Sequence, residues 1–250
     1  MAFEVVQIAA GVHRFSSVFT NWYVIEQGDR VTVLDGGLPR DWRAFSTALE
    51  RLGIDETAID AVLITHHHPD HVGNAERLRR SGAKVFSHSA DAAFLRGEKH
   101  LPIATRIPFL LRPWYAFYMA RLLAKGIMRV PPIGELNMFS DGEVLDVPGA
   151  PRVIHAPGHT AGSCALFLED RSLLFSGDAL VTRDVTTGHR RGPQVIDGPD
   201  TEDVALAKDS LSALAATNAK TVLPGHGEPW WEGIESAVKI ARRPTSRGGT

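Results

Sequence analysis

Residues 66–71 contain three consecutive histidines followed by Pro, Asp and His, and four of these side chains are candidate ligands of a metal ion: His66, His68, Asp70 and His71. Imidazole nitrogens and carboxylate oxygens are the usual ligands of hydrolytic zinc, and zinc with an open coordination position polarises water. On extended backbone, alternate side chains project to the same side, so His66 and His68 can share one metal while His67 faces away. After the turn expected at Pro69, Asp70 and His71 can reach a second metal.

The position of this cluster argues against a chance run of histidines or an expression tag. The cluster lies in the middle of the chain and follows the apolar run at residues 61–64, which is rich in β-branched side chains. Such a run is typical of a buried strand. The sequence therefore predicts a strand that ends in a metal-binding loop, with a helix starting near Val72.

The spacing His66-x-His68-x-Asp70-His71 resembles the signature of the metallo-β-lactamase-fold hydrolases. Members of that family complete the site with a His in a Gly-His-Thr turn, an Asp after a short hairpin and a His in a Gly-His-Gly turn. This chain has His159, Asp178 and His226 in those three contexts and in that order. The resemblance therefore extends over nearly the whole chain.

The resemblance implies a dinuclear metal site. His66, His68 and His159 would hold one metal, Asp70, His71 and His226 a second, and the Asp178 carboxylate would bridge the two. Two Zn²⁺ ions per chain are expected, with Fe or Mn as alternatives. Metals roughly 3.5–4 Å apart can share a water whose pKa falls toward about 7, which supplies hydroxide as the nucleophile at neutral pH. Asp70 would orient or transfer the leaving-group proton, and Asp35 would support the ligand loops through hydrogen bonds.

Within this family, the expected activity is hydrolysis of a thioester, a lactone or a related ester. A carboxylate at Asp178 favours it, because the β-lactam-hydrolysing relatives usually carry Cys or Ser there. The tyrosine that donates a proton in the lactonases, between the bridging Asp and the last His, is missing from this chain. Only about two dozen residues follow His226, so the glutathione-binding helical domain of glyoxalase II is not expected.

Three other functions remain open. One is a mononuclear iron persulfide dioxygenase, with ligands His66, His159 or its neighbours, and Asp178. The second is β-lactam hydrolysis as a main or side activity. The third is a binding protein that retains the fold without its chemistry, which the complete ligand set disfavours.

The predicted elements occur twice in the same order. Residues 18–27 and 31–34 are predicted to form a hairpin, residues 41–52 a helix, and residues 61–64 the strand before the first ligand loop. Residues 165–169 and 172–175 again form a predicted hairpin, followed by a helix over about 200–216 and a strand at 221–223 before His226. The resemblance implies an α/β fold, a four-layer αββα sandwich with internal pseudo-duplication, and we expect one domain over residues 1–250. A strand at 84–86 and a helix at 89–95 capped by Ser89 are also expected.

The segment from about 97 to 132 departs from this plan. It alternates large apolar and aromatic side chains, including Trp114 and Phe117, with Arg and Lys. We predict one or two amphipathic helices, broken near Pro108 and Pro113. Four roles are consistent with this pattern: a lid selecting an apolar acyl or aromatic substrate group, a homodimer contact, a membrane-surface helix, or structural cover for the sheet.

Composition and charge narrow the class of partner. The hydrophobic fraction is 44%, the charged fraction 22% and the formal net charge −2, which is ordinary for a globular protein and argues against a dedicated nucleic-acid binder. The single cysteine, Cys164, lies in an apolar run and is predicted to be buried. No leader or transmembrane segment is evident, which favours the cytoplasm. His189, in a glycine-flanked loop, is predicted to be a surface residue, with substrate contact as the alternative.

Overall fold

The computed structural model describes residues 3–100, 103–190 and 192–243. Its framework is two β-sheets, one of seven strands in the order β1-β2-β3-β4-β5-β6-β7 and one of four in the order β11-β10-β9-β8. The strands are β1 Glu4–Ala9, β2 Val12–Ser17, β3 Thr20–Gln27, β4 Arg30–Leu34, β5 Ile59–Leu63, β6 Lys84–His88, β7 Asn137–Phe139, β8 Arg152–His155, β9 Cys164–Leu168, β10 Leu173–Gly177 and β11 Thr221–Pro224.

Helices occupy most of the remaining regular structure. The α-helices are α1 Trp42–Arg51, α2 Pro69–Val72, α3 Ala75–Arg80, α4 Ala92–Leu95, α5 Pro113–Ala124, α6 Val204–Ala215 and α7 Gly233–Ala241. Short 3-10 helices cover Pro39–Asp41, Glu56–Ala58, Ser89–Asp91, Ile103–Leu111 and Ile127–Arg129. None of the helices within the described ranges is both long enough and apolar enough to cross a membrane.

The layers follow from the alternation of side chains along the strands. In β3, Trp22 and Val24 pack on one face with α1 and α3, whereas Tyr23 and Ile25 face the second sheet. In β9, Ala165 and Phe167 pack outward with α6 and α7, whereas Cys164 and its alternate neighbours face the first sheet. Because successive strand residues point to opposite faces, both sheets are apolar on both sides. The order is helix, sheet, sheet, helix, which confirms the predicted αββα sandwich.

The predicted duplication of elements is present. β3 and β4 form an antiparallel hairpin in which Gln27 pairs with Arg30, and β5 lies parallel to β4 after α1. β9 and β10 form the second antiparallel pair, and β11 lies parallel to β10 after α6. Parallel neighbours end at the same edge of a sheet. The loops after β5 and β11, which carry predicted ligands, therefore begin at corresponding places in the two halves.

Three predicted boundaries differ from the structure. β3 begins at Thr20 and not at Val18, because Val18 and Phe19 adopt positive φ values of 50° and 71° in the turn from β2. The helix expected near Val72 begins at Pro69, whose fixed φ suits a first helical position, and ends before α3. The helix expected from Ser89 begins as a 3-10 turn, and the capping side chain is His88, which accepts from the Ala90 amide.

In the 97–132 segment, the predicted helices form, although Leu101 and Pro102 lie outside the described residues. Pro113 begins α5 as expected, but Pro108 lies within the 3-10 helix and does not break it. The α5 side chains Tyr115, Tyr118 and Leu122 pack against buried residues from both halves of the chain, such as Leu38 and Val181. The helix therefore covers the junction of the two halves, with an apolar outer face that includes Phe117, 48% exposed.

Candidate metal centre

The seven predicted site residues meet at the strand ends between the two halves. His66 and His68 lie in the loop after β5, and Asp70 and His71 in α2. His159 lies in the loop after β8, Asp178 directly follows β10, and His226 lies just after β11. All seven side chains are buried. Residues distant in sequence are thus brought together by the ends of several strands and one short helix.

Three histidines form the first potential metal-binding group. Ligand atoms of His66, His68 and His159 all lie within 4.8 Å of one another. His159 Nε2 lies 2.9 Å from His68 Nδ1. His67 points away from this group, as the alternation of the sequence predicted: its Nδ1 lies 3.0 Å from Asp91 and its ring stacks on Phe94.

A second group contains one carboxylate and two histidines. Ligand atoms of Asp70, His71 and His226 also lie within 4.8 Å of one another. Asp70 Oδ2 is 3.7 Å from His71 Nε2 and 3.6 Å from His226 Nε2. The two histidine Nε2 atoms face each other at 3.5 Å.

Asp178 lies between the two groups. Its Oδ2 is 3.4 Å from His159 Nε2 and 3.0 Å from His226 Nε2, and its Oδ1 is 3.6 Å from His71 Nε2. The carboxylate thus contacts ligand candidates of both groups. Gly225 leaves room for it, because a Cβ added there would collide with Asp178 Oδ1.

The hydrogen bonds of the histidines suit metal binding. His71 Nδ1 donates to the Asp35 carboxylate at 2.8 Å, and His226 Nδ1 donates to the Phe19 carbonyl at 2.9 Å. Carboxylate and carbonyl oxygens can only accept, so each Nδ1 carries a proton and each Nε2 is directed at the other ligand candidates. The two Nε2 atoms lie 3.5 Å apart, so a proton or a metal ion is needed between them to prevent repulsion of their lone pairs.

Two threonine hydroxyls place a proton on Nδ1 of His159 and of His66, as in the two histidines above. Thr201 Oγ1 donates to the Ile196 carbonyl, so it accepts from His159 Nδ1 at 3.0 Å. Thr65 Oγ1 donates to Asp35 and therefore accepts from His66 Nδ1 at 3.0 Å. His66 Nε2 and Asp178 Oδ1 are buried and have no hydrogen-bond partner among the described residues. Buried polar atoms are normally satisfied, and divalent cations satisfy this donor set.

Electrostatics differ between the two groups. Burial lowers the pKa values of His66 and His68, and neighbouring imidazoles lower them further. Burial also outweighs Asp178 at His159 and lowers its pKa to about 4. At His71, burial is outweighed by the carboxylates of Asp178, Asp70 and Asp35, which raise its pKa to about 10. The three-histidine group is therefore neutral, whereas in the second group carboxylates stabilise a protonated His71, and a metal ion bound there would displace that proton.

Burial opposes ionisation of Asp178, but His226 and His71 outweigh it and hold the Asp178 pKa well below its usual range. This carboxylate is therefore charged and can bind a cation. Asp35 takes the supporting position predicted for it. Besides holding His71, it accepts from the Thr65 backbone amide at 2.8 Å, with a left-handed φ of 63°.

Two side-chain hydroxyl groups donate hydrogen bonds to Asp70, and no sequence motif indicated either of them. Thr20 Oγ1 donates to Asp70 Oδ2 at 3.0 Å, and the Tyr118 hydroxyl donates to the same oxygen at 3.3 Å. Tyr118 comes from α5, in the 97–132 segment, so motif spacing gave no signal for it. The chain thus has a tyrosine at the site, although not from the position between Asp178 and His226 where the lactonases have theirs.

Asp91 is a further residue that no motif indicated. Its carboxylate accepts from the amides of His67 and Gly162 and from the Thr160 hydroxyl, each at 2.8 Å. It therefore joins the first ligand loop to the loop of His159. His189 is exposed, as expected for a surface loop, and Cys164 is buried, as predicted.

Comparison with known proteins agrees with this geometry. The chain is 27% identical over 242 residues to "Probable metallo-hydrolase YflN" of Bacillus subtilis (strain 168), which covers 89% of this chain and 86% of that protein. It is 27% identical over 218 residues to an atrochrysone carboxyl ACP thioesterase of Pseudocercospora fijiensis, covering 86% of this chain and 49% of the thioesterase.

Among solved structures, the metallo-beta-lactamase family protein TTHA1429 of Thermus thermophilus superposes with a TM-score of 0.72 at 26% identity, over 93% of this chain and 78% of that one. The family model of the metallo-beta-lactamase superfamily matches residues 17–226. This range contains all seven clustered side chains and both copies of the hairpin, helix and strand. The chain belongs to the metallo-beta-lactamase superfamily.

Proposed function

We propose that this metal-dependent hydrolase cleaves an ester-like bond, a thioester or a lactone, with two zinc ions. The observation that carries the proposal is the position of Asp178, whose carboxylate lies within 3.0–3.8 Å of histidines from both groups. A single carboxylate in that position can be shared by two cations. Iron or manganese would fit the same nitrogen and oxygen donors, so metal analysis of the purified protein tests the choice of zinc.

The assignment of ligands follows the two groups. His66, His68 and His159 would hold one metal, Asp70, His71 and His226 would hold the other, and Asp178 would be available to both. When bound, the two metals supply a hydrolytic water that ionises near neutral pH and polarise the substrate carbonyl. Asp70, whose Oδ2 accepts hydrogen bonds from Thr20 and Tyr118, would accept the proton that the attacking water releases and pass it to the leaving group. The hydrogen bonds fix this oxygen toward the centre of the site.

Two considerations support thioesters and lactones over β-lactams. The shared position holds a carboxylate, Asp178, where β-lactam-hydrolysing relatives usually have Cys or Ser. A relative that covers most of this chain is named as a thioesterase, although this chain spans only about half of that protein. β-Lactam hydrolysis is therefore proposed as a side activity at most.

The substrate partner is a small molecule with an apolar acyl or aromatic group. The aromatic side chains of α5 lie close to the site, since Tyr118 contacts Asp70 and Trp114 packs 5.3 Å from Phe19, whose carbonyl holds His226. We also predict a homodimer contact through exposed residues of the 97–132 segment. A cytoplasmic location is a separate prediction. Sedimentation and cell fractionation test them.

The test is the Asp178→Asn variant, which keeps the shape of the side chain but removes the charge that both metals share. We expect metal content to fall from about two to about one per chain and kcat/KM toward a thioester or lactone to fall about a hundredfold or more. Asp55→Asn, in an exposed turn, is the control. Substrates to screen are thioesters, lactones, phosphodiesters and β-lactams.

Two results would contradict the dinuclear hydrolase. One is full metal content and activity in the Asp178→Asn variant. The other is a single tightly held iron with oxygen uptake and no hydrolysis, which would identify the persulfide dioxygenase alternative. Anaerobic assay separates the two enzymes because hydrolysis needs no oxygen.

A further inference from the structure

A cavity of about 680 Å³ lies beside the metal centre and contains none of the seven proposed ligands. The residues of its wall include the aromatic Phe3, Phe19 and Trp230 and the basic Arg183 and Arg190. The wall adjoins the metal centre at two points. The Phe19 carbonyl accepts from His226 Nδ1 at 2.9 Å, and Gly227, also in the wall, follows His226 directly.

Arg183 is the unusual member of this wall. Only 6% of the residue is exposed, yet no carboxylate pairs with it and no hydrogen bond from its side chain is found within the described part of the chain. Its guanidinium lies 4.3 Å from the ring centroid of Phe19 and 5.6 Å from that of Trp114. Stacking on aromatic rings orients a guanidinium but leaves its N–H donors unused. The Arg183 nitrogens are not among the fully enclosed polar atoms, so their N–H groups remain open to an anionic ligand.

The carboxylates of the wall do not fill this role. Glu4 and Glu228 line the same cavity, but both pair with Arg14: Arg14 Nη1 donates to Glu228 at 2.6 Å and Nη2 lies 3.4 Å from Glu4. Arg190 is exposed and has no ion pair among the residues that the structure describes. The cavity therefore presents two arginines without acidic partners, beside three aromatic rings.

We infer that this cavity binds the anionic end of the substrate, a carboxylate or phosphate group attached to an apolar or aromatic body. The inference rests on the proposed hydrolase function and specifies its substrate class further. The Arg183 guanidinium presents a planar fork of donors that matches a carboxylate or phosphate in two parallel hydrogen bonds. The aromatic side chains of Phe3 and Trp230 pack against the apolar body, in a cavity whose wall joins the loop of His226 through Phe19 and Gly227.

The test measures binding alone, so it does not depend on which bond the enzyme cleaves. Calorimetric titration of the metal-loaded protein with phenylacetate, phenyl phosphate and the neutral phenylacetamide compares two anions with an uncharged analogue. We expect at least one anion to bind about tenfold or more tightly than the amide, and the better of the two anions identifies the group. Equal affinity for all three compounds overturns the inference.

The protein variants distinguish the cavity from the metals, which also attract anions. Arg183→Gln should weaken binding of the preferred anion about tenfold or more, and Arg190→Gln should weaken it less because that side chain is exposed. Arg30→Gln, at a surface pair with Asp60, is the matched control and should change nothing. Unchanged anion affinity in both cavity variants would place the anion on the metals and overturn the inference.

Circular dichroism and metal analysis check that Arg183→Gln folds and keeps its metals. If it does not fold, Arg190→Gln decides: weaker anion binding supports the cavity and unchanged binding overturns it. A protein that binds the anion through these arginines but hydrolyses no ester would retain this inference and lose the proposed function. A protein that hydrolyses esters, and whose anion binding is unchanged by substitution of either arginine, would retain the proposed function and lose this inference.

Discussion

At the scale of single residues, the proposed ligands differ from the residues that orient them in how far the sequence could reveal them. The seven ligand candidates were predicted because each lies in a short motif whose spacing is visible in the chain. Thr201 holds His159 from 42 positions later, and the Phe19 carbonyl holds His226 from 207 positions earlier. Such contacts depend on the tertiary fold and not on local spacing, so no motif could indicate them. Asp35 was an exception, because it directly follows a predicted strand.

The orienting residues lead to a prediction about metal affinity. Asp35→Asn replaces the carboxylate that accepts from His71, and asparagine tolerates the left-handed backbone found there. Thr201→Val removes the acceptor of His159. Each should weaken binding of at least one metal about 10- to 100-fold, because the imidazole loses the partner that fixes its tautomer and angle. Competition with a chromophoric chelator measures both sites.

Thr57→Val, on an exposed turn, is the control for these two variants. Thr201→Val should affect only the metal of the His159 group. Asp35→Asn should affect the His71 group directly and the His66 group through Thr65. Unchanged affinity at both sites in both variants would show that these hydrogen bonds do not support metal binding.

At the scale of secondary-structure elements, the sequence predicted the longer strands and helices, whose periodicity is visible over many residues. It did not predict the short strands or the division of one helix. The two hairpins and the α1 and α6 helices have clear periodicity and appear close to their predicted positions. β7 and β8 have only three and four residues, too few for a period of two to stand out. The single helix expected from Val72 is divided into α2 and α3, where Asn74 donates to the carbonyls of Gly36 and Leu38. These hydrogen bonds at the break between the two helices are tertiary contacts, and the helical periodicity of the sequence does not reveal them.

Glu76, on α3, links this helix to the chain that returns from the 97–132 segment and gives a prediction about pH. It accepts from Arg79, Arg80 and the Gly134 amide. The hydrogen bond from Arg79, aided by the others, outweighs burial and lowers the Glu76 pKa to about 2 from a usual 4.5. Because the folded-state pKa is the lower one, its stabilising contribution is complete above about pH 4.5 and is lost as pH falls toward 2.

Glu76→Gln should therefore lower the free energy of unfolding at pH 7 by roughly 2 kcal/mol, allowing for the solvent around Arg80. The difference from the parent protein should shrink below about pH 4.5. Urea unfolding of chelated protein at several pH values measures this without interference from metal loss. Glu50→Gln, at an exposed helix position, is the control. A difference that stays constant down to pH 3 would contradict the assignment.

α5 gives the prediction about substrate choice. Trp114 is fixed in place, since its Nε1 donates to the Val185 carbonyl at 2.9 Å and its ring fills the space above Gly188. Phe117 is 48% exposed and lies 5.8 Å from Trp114. If the two rings form an apolar wall, each contacted methylene of an acyl chain contributes about 0.8 kcal/mol, or roughly fourfold in kcat/KM.

Replacing either ring by Ala should flatten the dependence of kcat/KM on acyl length and leave metal content unchanged. Phe117→Ala is the cleaner variant, because Trp114→Ala also removes a packed side chain and should cost about 3 kcal/mol or more in stability. Leu111→Ala, at a residue 87% exposed in the same segment, is the control. If both variants alter only thermal stability, α5 is structural cover.

At the scale of the whole molecule, the metal centre lies at the junction of two similar halves, and each half supports ligands of the other. Asn21, from the first half, donates to the Pro224 and Gly227 carbonyls on both sides of His226. Asp91, also from the first half, accepts from Gly162 near His159. In the opposite direction, the Cys164 amide donates to the Thr65 carbonyl beside His66. These contacts, and the position of Asp178 between the two groups, mean that the position of the candidate ligands depends on both halves.

Metal removal should therefore lower the stability of the whole fold and not only the activity. A ligand at about 1,000 times its Kd stabilises the folded state by about 4 kcal/mol per site. For a chain of this length each kcal/mol shifts the Tm by about 2–4 °C, so full chelation should lower the Tm by about 8 °C or more. Differential scanning calorimetry with and without chelator measures the shift, and one cooperative transition in both states would support the predicted single domain. Asp178→Asn, which should hold less metal, should show a smaller shift than the parent protein. A Tm that is unchanged after metal analysis shows complete removal would mean that the hydrogen bonds alone hold the halves together and that the metals add nothing to the fold.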